Sequence, residues 1–165
     1  MAVINAFVTQ NVSSVAVDKD VAARFGGAPV KKVLFSFEKA AGDNDASIFR
    51  IARISPYAKI VSLKVAFDAA SGLTDVDAGF YKPLEVGGTE IDKDCLNDGL
   101  DPHTGQTAVV ELFVPAIANI GREAYLIAGV TVANAIKYGA FDVAITGNII
   151  GATAFTVAGV LEYIE

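Results

Sequence analysis

Tryptophan is absent from this sequence, and cysteine, histidine and methionine occur once each. A single thiol, Cys95, cannot form an internal disulfide, so the fold must stand on non-covalent packing, and an intracellular origin is expected. One histidine, His103, with one cysteine leaves too few ligands for a structural zinc site. Cations are also scarce. Thirteen Lys and Arg face nineteen Asp and Glu, giving a net charge of −6, and the pI is near 4.7. A phosphate-binding surface needs clustered cations to displace counterions, so nucleic acid is not an expected partner. The first basic residue is Lys19, which leaves Met1–Asp18 without the cationic start of a secretory signal.

Long apolar runs are missing with one exception. Residues 143–161 carry no charge and place Gly147 and Gly151 at the spacing of helix-dimer motifs. Thr146, Asn148, Thr153 and Thr156 interrupt the run, β-branched residues and glycines dominate it, and no cationic anchor follows. Two strands joined by a glycine-containing turn are expected there, and no membrane partner.

Apolar residues nevertheless make up 53% of the chain, and its mean hydropathy is +0.46. So much apolar surface exceeds what one internal core of this size needs, and self-association is expected. The remaining charge is asymmetric. Residues 1–82 hold ten basic and eight acidic side chains, and 83–165 hold three and eleven. Six acids stand against one lysine between Glu85 and Asp101.

Period-two alternation marks the strands. Val33, Phe35 and Phe37 share one face against Lys32, Ser36 and Glu38. In 47–54, Phe49 and Ile51 oppose Arg50 and Ala52, and Ser55-Pro56 closes the strand. Val61, Leu63, Val65 and Phe67 form the clearest stripe, and Val76, Ala78 and Phe80 oppose Asp75, Asp77 and Gly79 in 75–81. Gly42-Asp43-Asn44-Asp45 and Ser71-Gly72 supply turns. Residues 82–106 are rich in Gly, Asp, Asn, Lys and Pro and are expected to form one long surface excursion. Strands are expected at 108–114, 141–146 and 153–164, the last with Phe155, Val157, Gly159, Leu161 and Tyr163 on one side. A single helix is expected over 119–128, capped by Asn119 and stopped by Gly129, with Ile120, Ala124, Ile127 and Ala128 on its inner face. The pattern predicts a mainly β protein, an antiparallel two-sheet sandwich of jelly-roll-like type with one short helix. Residues 1–18 read as an extended N-terminal segment or arm and 19–165 as one sandwich domain.

No constellation for catalysis assembles. Cys95 and His103 are the only candidates for a nucleophile–base pair, and nothing in the pattern brings them together or adds an oxyanion hole. Asp92, Asp94 and Asp98 invite a calcium reading, but Leu96 stands where a third oxygen ligand of an EF-hand belongs and Asn97 where its glycine belongs. Asp75 and Asp77 lie on one strand face, where two solvated carboxylates are expected. Gly26-Gly27 and Gly87-Gly88 lack the strand-to-helix context of phosphate loops and read as turns. No cofactor and no catalytic residue is expected.

The stretch Ser47-Ile48-Phe49-Arg50-Ile51-Ala52-Arg53-Ile54, then Ala58-Lys59-Ile60, then Thr74-Asp75-Val76-Asp77-Ala78-Gly79-Phe80-Tyr81 resembles small structural proteins that decorate or cement the capsids of tailed bacteriophages. The likeness continues through Gly87-Gly88, Ile91–Leu96, the 119–128 segment and the final strand pair, covering residues 45–164. It implies a jelly-roll-like virion protein, made in the host cytoplasm and carried in many copies on the capsid surface. Its partners would be the major capsid protein and itself, as a dimer or trimer. A carbohydrate-binding sandwich from a fibre or appendage, and another head or tail component, remain the alternative readings. Two segments are expected to touch partners. The apolar N-terminal segment offers Val3, Ile4, Phe7 and Val8, either to a neighbouring sheet edge or to its own sandwich, and the acidic segment offers Asp92, Asp94 and Asp98 to a basic surface.

Overall fold

Pairing between strands far apart in sequence organises the chain. The computed structural model describes residues 5–7, 10–11, 29–40, 47–68, 73–101, 108–149 and 154–165. Its strands are β1 (Asn5–Phe7), β2 (Gln10–Asn11), β3 (Val30–Lys39), β4 (Ile48–Ile54), β5 (Lys59–Phe67), β6 (Leu73–Tyr81), β7 (Glu90–Leu100), β8 (Val110–Glu111), β9 (Phe141–Ile149) and β10 (Phe155–Ile164). They form two five-stranded sheets, the first in the order β1-β4-β9-β6-β7 and the second in the order β2-β3-β10-β5-β8.

The antiparallel pairs nest: β6 with β7, then β5 with β8, β4 with β9 and β3 with β10. One long folded ribbon has been rolled so that β9 also meets β6 and β10 also meets β5. This is jelly-roll connectivity, with β1 and β2 added at one edge of each sheet. β1 pairs in parallel with β4 and β2 antiparallel with β3, so the described parts of the N-terminal segment lie along this chain's own sheets. The turns expected at 26–27, 42–45 and 71–72 lie outside the described residues, as does His103. Of residues 143–161, 143–149 belong to β9 and 155–161 to β10, and the turn expected between them lies outside the described residues; no described helix is long and apolar enough to cross a membrane.

The two inner faces make the core. Val33, Phe35 and Phe37 of β3 and Phe155, Val157, Leu161 and Tyr163 of β10 are buried against Phe49, Ile51, Val76, Phe80, Val143 and Ile145 of the first sheet. Phe37 stacks on Phe49 with ring centroids 4.3 Å apart, joining the two layers.

Several expectations change. Val61 is not in the inner stripe: β5 carries one extra residue opposite the Glu162–Tyr163 step of β10. This bulge turns Ile60 inward and leaves Val61 45% exposed, because one inserted residue inverts the side-chain alternation. The 119–128 helix is broken. A 3-10 turn covers Ile117–Asn119, Gly121 adopts φ 70°, and only α1 (Ala124–Ile127) follows, with Ile120 67% exposed. Gly129 does end α1. A second helix, α2 (Val132–Tyr138), was not expected, although its Thr131 cap, which accepts a hydrogen bond from the Asn134 N–H at 3.3 Å, is a legible start signal. Residues 82–106 are not one loop, since β7 alone takes eleven of them.

Candidate functional site

A strand with polar residues on its outer face is expected to show that face to water, but the first sheet buries both. Arg50 on β4 and Asp142 and Ala144 on β9 are fully buried, and Asp77 on β6 is 4% exposed. The cover comes from residues 82–89 and from β7, and two charged side chains fasten it down.

Arg50 is the first fastener. Its Nη1 donates to Asp142 Oδ2 at 3.0 Å and to the Lys82 carbonyl at 3.1 Å, and its Nη2 donates to the Gly88 carbonyl at 2.7 Å. Its guanidinium also lies over the Tyr81 ring, 5.3 Å from the centroid. Arg53 closes the network from the solvent side: Nε donates to Asp142 Oδ1 at 2.7 Å and Nη2 to Glu85 Oε2 at 3.0 Å. These bonds, led by Asp142, strengthen the Arg53 proton's hold, and Glu85 is held below the usual carboxylate range by a backbone hydrogen bond and by Arg53. The segment can turn back onto the sheet because Gly87 and Gly88 take φ 97° and 60°, which L side chains resist.

Asp77 is the second. Its Oδ2 accepts from Lys93 Nζ at 2.9 Å and its Oδ1 from the Gly99 N–H at 3.2 Å, clamping β7 at two points. The expectation that Asp75 and Asp77 are two solvated carboxylates therefore fails for Asp77, because the clamp buries it. Asp75 is exposed, at φ 49°. Between the clamp points β7 bulges. While β6 advances from Ala78 to Phe80, β7 runs from Asn97 to Asp92. The bulged backbone crosses directly over Gly79, where a Cβ would stand inside the Asp92 and Lys93 carbonyls.

The result is an acidic outer edge. Asp94 and Asp98 are exposed on β7, with Asp92 half-buried between them and Glu90. Burial first, and then the neighbouring Asp94 carboxyl, hold Asp92 above the usual carboxylate range. Charges on an edge strand discourage indiscriminate strand pairing and leave the edge open to a partner of opposite charge. Cys95 sits inside the bulge, its Sγ donating to the Asp92 carbonyl at 3.4 Å. Burial, with the nearby Asp92 charge, pushes its thiol up and makes it a poor nucleophile. Among the described residues no three His, Cys, Asp or Glu side chains gather so as to hold a metal ion.

Of the other expected contact residues, Phe7 lies in β1 opposite Arg50 of β4, on the sheet edge farthest from β7. Val3, Ile4 and Val8 lie outside the described residues. The sequence did not mark the run from Val114 to Ile136, where Val114, Ile117, Ile120 and Ile136 are all at least 66% exposed. Their clustering around the misplaced helix was the available signal.

Similarity to solved structures lies in the fold. A chain of the Ralstonia phage GP4 capsid superposes with a TM-score of 0.55 at 15% identity, over 83% of this chain and 84% of that one. A chain of the cyanophage Pam1 capsid asymmetric unit gives 0.52 at 12% identity, over 84% and 86%. Neither a protein-family model nor a curated protein matches the sequence.

Proposed function

We propose that this chain is a structural component of a tailed-phage virion, seated on the outer capsid surface, where it stabilises contacts between coat subunits without catalysis. The observation that carries this reading is the likeness to chains of two phage capsids across more than four fifths of the molecule. The acidic edge supports it, offering Asp92, Asp94 and Asp98 to a basic patch of the major capsid protein. So does the exposed apolar run from Val114 to Ile136, which suits burial between copies of a dimer or trimer. The N-terminal segment supplies the outermost described strand of each sheet, and in this reading Val3, Ile4, Phe7 and Val8 reach a neighbouring subunit. Neither nucleic acid nor membrane enters the account.

Sedimentation of the purified chain with shells of its virus's major capsid protein tests this reading. Binding is expected at low salt and to weaken several-fold once the Debye length drops below about 8 Å. A chain lacking residues 1–12 is expected to stay folded but to lose oligomerisation or shell binding. Absence of the full-length chain from the pellet at every salt concentration would sink the reading.

A further inference from the structure

Asp98-Gly99 is the sole Asp-Gly pair of the chain, and both residues are exposed on β7. Opposite them β6 advances only from Val76 to Ala78 while β7 runs from Asn97 to Leu100, so the pair stands against Asp77 alone as a bulge. Gly99 takes φ 78°, and a Cβ there would stand 3.2 Å from Asp75 Oδ1. The fold itself therefore requires glycine after Asp98.

An aspartate followed by glycine can rearrange its own backbone. The Gly99 nitrogen attacks the side-chain carboxyl carbon of Asp98, and the amide proton and the carboxyl hydroxyl leave as one water, closing a five-membered succinimide. Water then opens the ring. Cleavage of the nitrogen's bond to the main-chain carbonyl carbon of Asp98 leaves the chain running through the side chain, as isoaspartate, and cleavage of the new bond restores aspartate. Water is the only reagent. A side chain on the following residue would shield the nitrogen, and a regular ladder would hold the backbone away from the geometry that closure needs. The bulge and its glycine leave both protections out.

One hydrogen bond stands in their place. The Gly99 N–H donates to Asp77 Oδ1 at 3.2 Å, and Asp77 is itself buried and held by Lys93 Nζ at 2.9 Å. This bond occupies the proton that must leave and fixes the direction of the nitrogen. We infer that Asp98 is a site of spontaneous isomerisation to isoaspartate, and that the bond from Gly99 to Asp77 is the latch that holds the reaction back. Isoaspartate lengthens the main chain by one methylene, so Asn97 and Leu100 cannot both keep their β6 partners once it forms. The chemistry does not depend on what β7 binds.

Peptide mapping with electron-transfer fragmentation distinguishes isoaspartate from aspartate at equal mass. The full chain is incubated at about pH 5, where ordinary Asp carboxyls are partly protonated. Folded parent is expected to isomerise at Asp98 at least tenfold more slowly than the same chain in urea. Asp77→Ala removes the acceptor, and its folded rate is expected at least tenfold above the parent's, as loss of a hydrogen bond to a charged group implies. Asp77→Asn keeps an oxygen at that place and is expected to stay within about threefold of the parent. Asp142→Asn loosens the other fastener with the Gly99 bond intact, and it is expected to match the parent. The inference is overturned if folded and unfolded parent react alike, or if folded Asp77→Ala reacts no faster than the parent. It is also overturned if Asp142→Asn speeds the reaction as much as Asp77→Ala does, which would trace it to general loosening. Should Asp77→Ala fail to fold, hydrogen exchange of the parent decides: a Gly99 amide that exchanges as fast as in urea carries no latch, and a protected one keeps it.

Discussion

Asp142 is fully buried and accepts from two arginines, so its charge is tolerated only because Arg50 and Arg53 compensate it. Removing one partner of such a pair leaves an uncompensated buried charge, at a cost of about 3–5 kcal/mol. Asp142→Asn is therefore expected to destabilise the chain by that amount in urea unfolding, and a loss under about 1 kcal/mol would show that the cover does not depend on the network. Asp92 has the opposite sign. Its native carboxyl holds a proton more tightly than the unfolded chain does, because burial and Asp94 disfavour the charge. Its contribution to stability thus falls as pH rises from the unfolded value of 3.8 through the raised native one, and the penalty is fully present at neutral pH. Asp92→Asn removes that penalty. The variant is expected to melt at a higher temperature than the parent at pH 7, with the gain shrinking towards pH 4. A gain that is constant across this range would assign the effect to packing and not to charge.

Among the elements, β7 decides how the outer face is built, and it was the hardest to read. Its sequence, Glu-Ile-Asp-Lys-Asp-Cys-Leu-Asn-Asp-Gly-Leu, has turn-forming composition and no alternation, so local propensity argues against a strand. Pairing with β6 overrides that propensity, and the bulge destroys the period-two signal that would have betrayed it. β3, β6 and β10 were legible because an unbroken alternation faces a buried layer, whereas Val61 was misplaced by a bulge that depends on its neighbour. Arg50 and Asp77 gave no signal of burial, since a charged residue on a strand's outer face is normally solvated and their cover comes from residues far along the chain. Gly79 is the point at which this cover is most exacting. Gly79→Ala is expected to cost at least about 2 kcal/mol, because an added methyl group must displace backbone and not a mobile side chain. It should also speed amide hydrogen exchange across 90–100 relative to the rest of the sheet. Unchanged exchange there would mean that β7 is not seated on Gly79.

For the whole molecule, nested pairing means that β3 finds its partner in β10 only once the intervening ribbon has rolled up, so both ends of the sequence close the same sheet. That arrangement puts β1 and β2 at one edge of the first and second sheets, the acidic β7 at the opposite edge of the first, and an exposed apolar run between β8 and β9. In the proposed reading these separate surfaces bridge neighbouring subunits, and many weak copies on a lattice gain affinity from multivalency. Cryo-electron microscopy of the virion that carries this chain tests the claim most directly. The account predicts density for the jelly roll outside the shell, in many symmetry-related copies, each touching at least two coat subunits. Density confined to the interior or to a single copy at the tail, or absence of the chain from the particle, would contradict it.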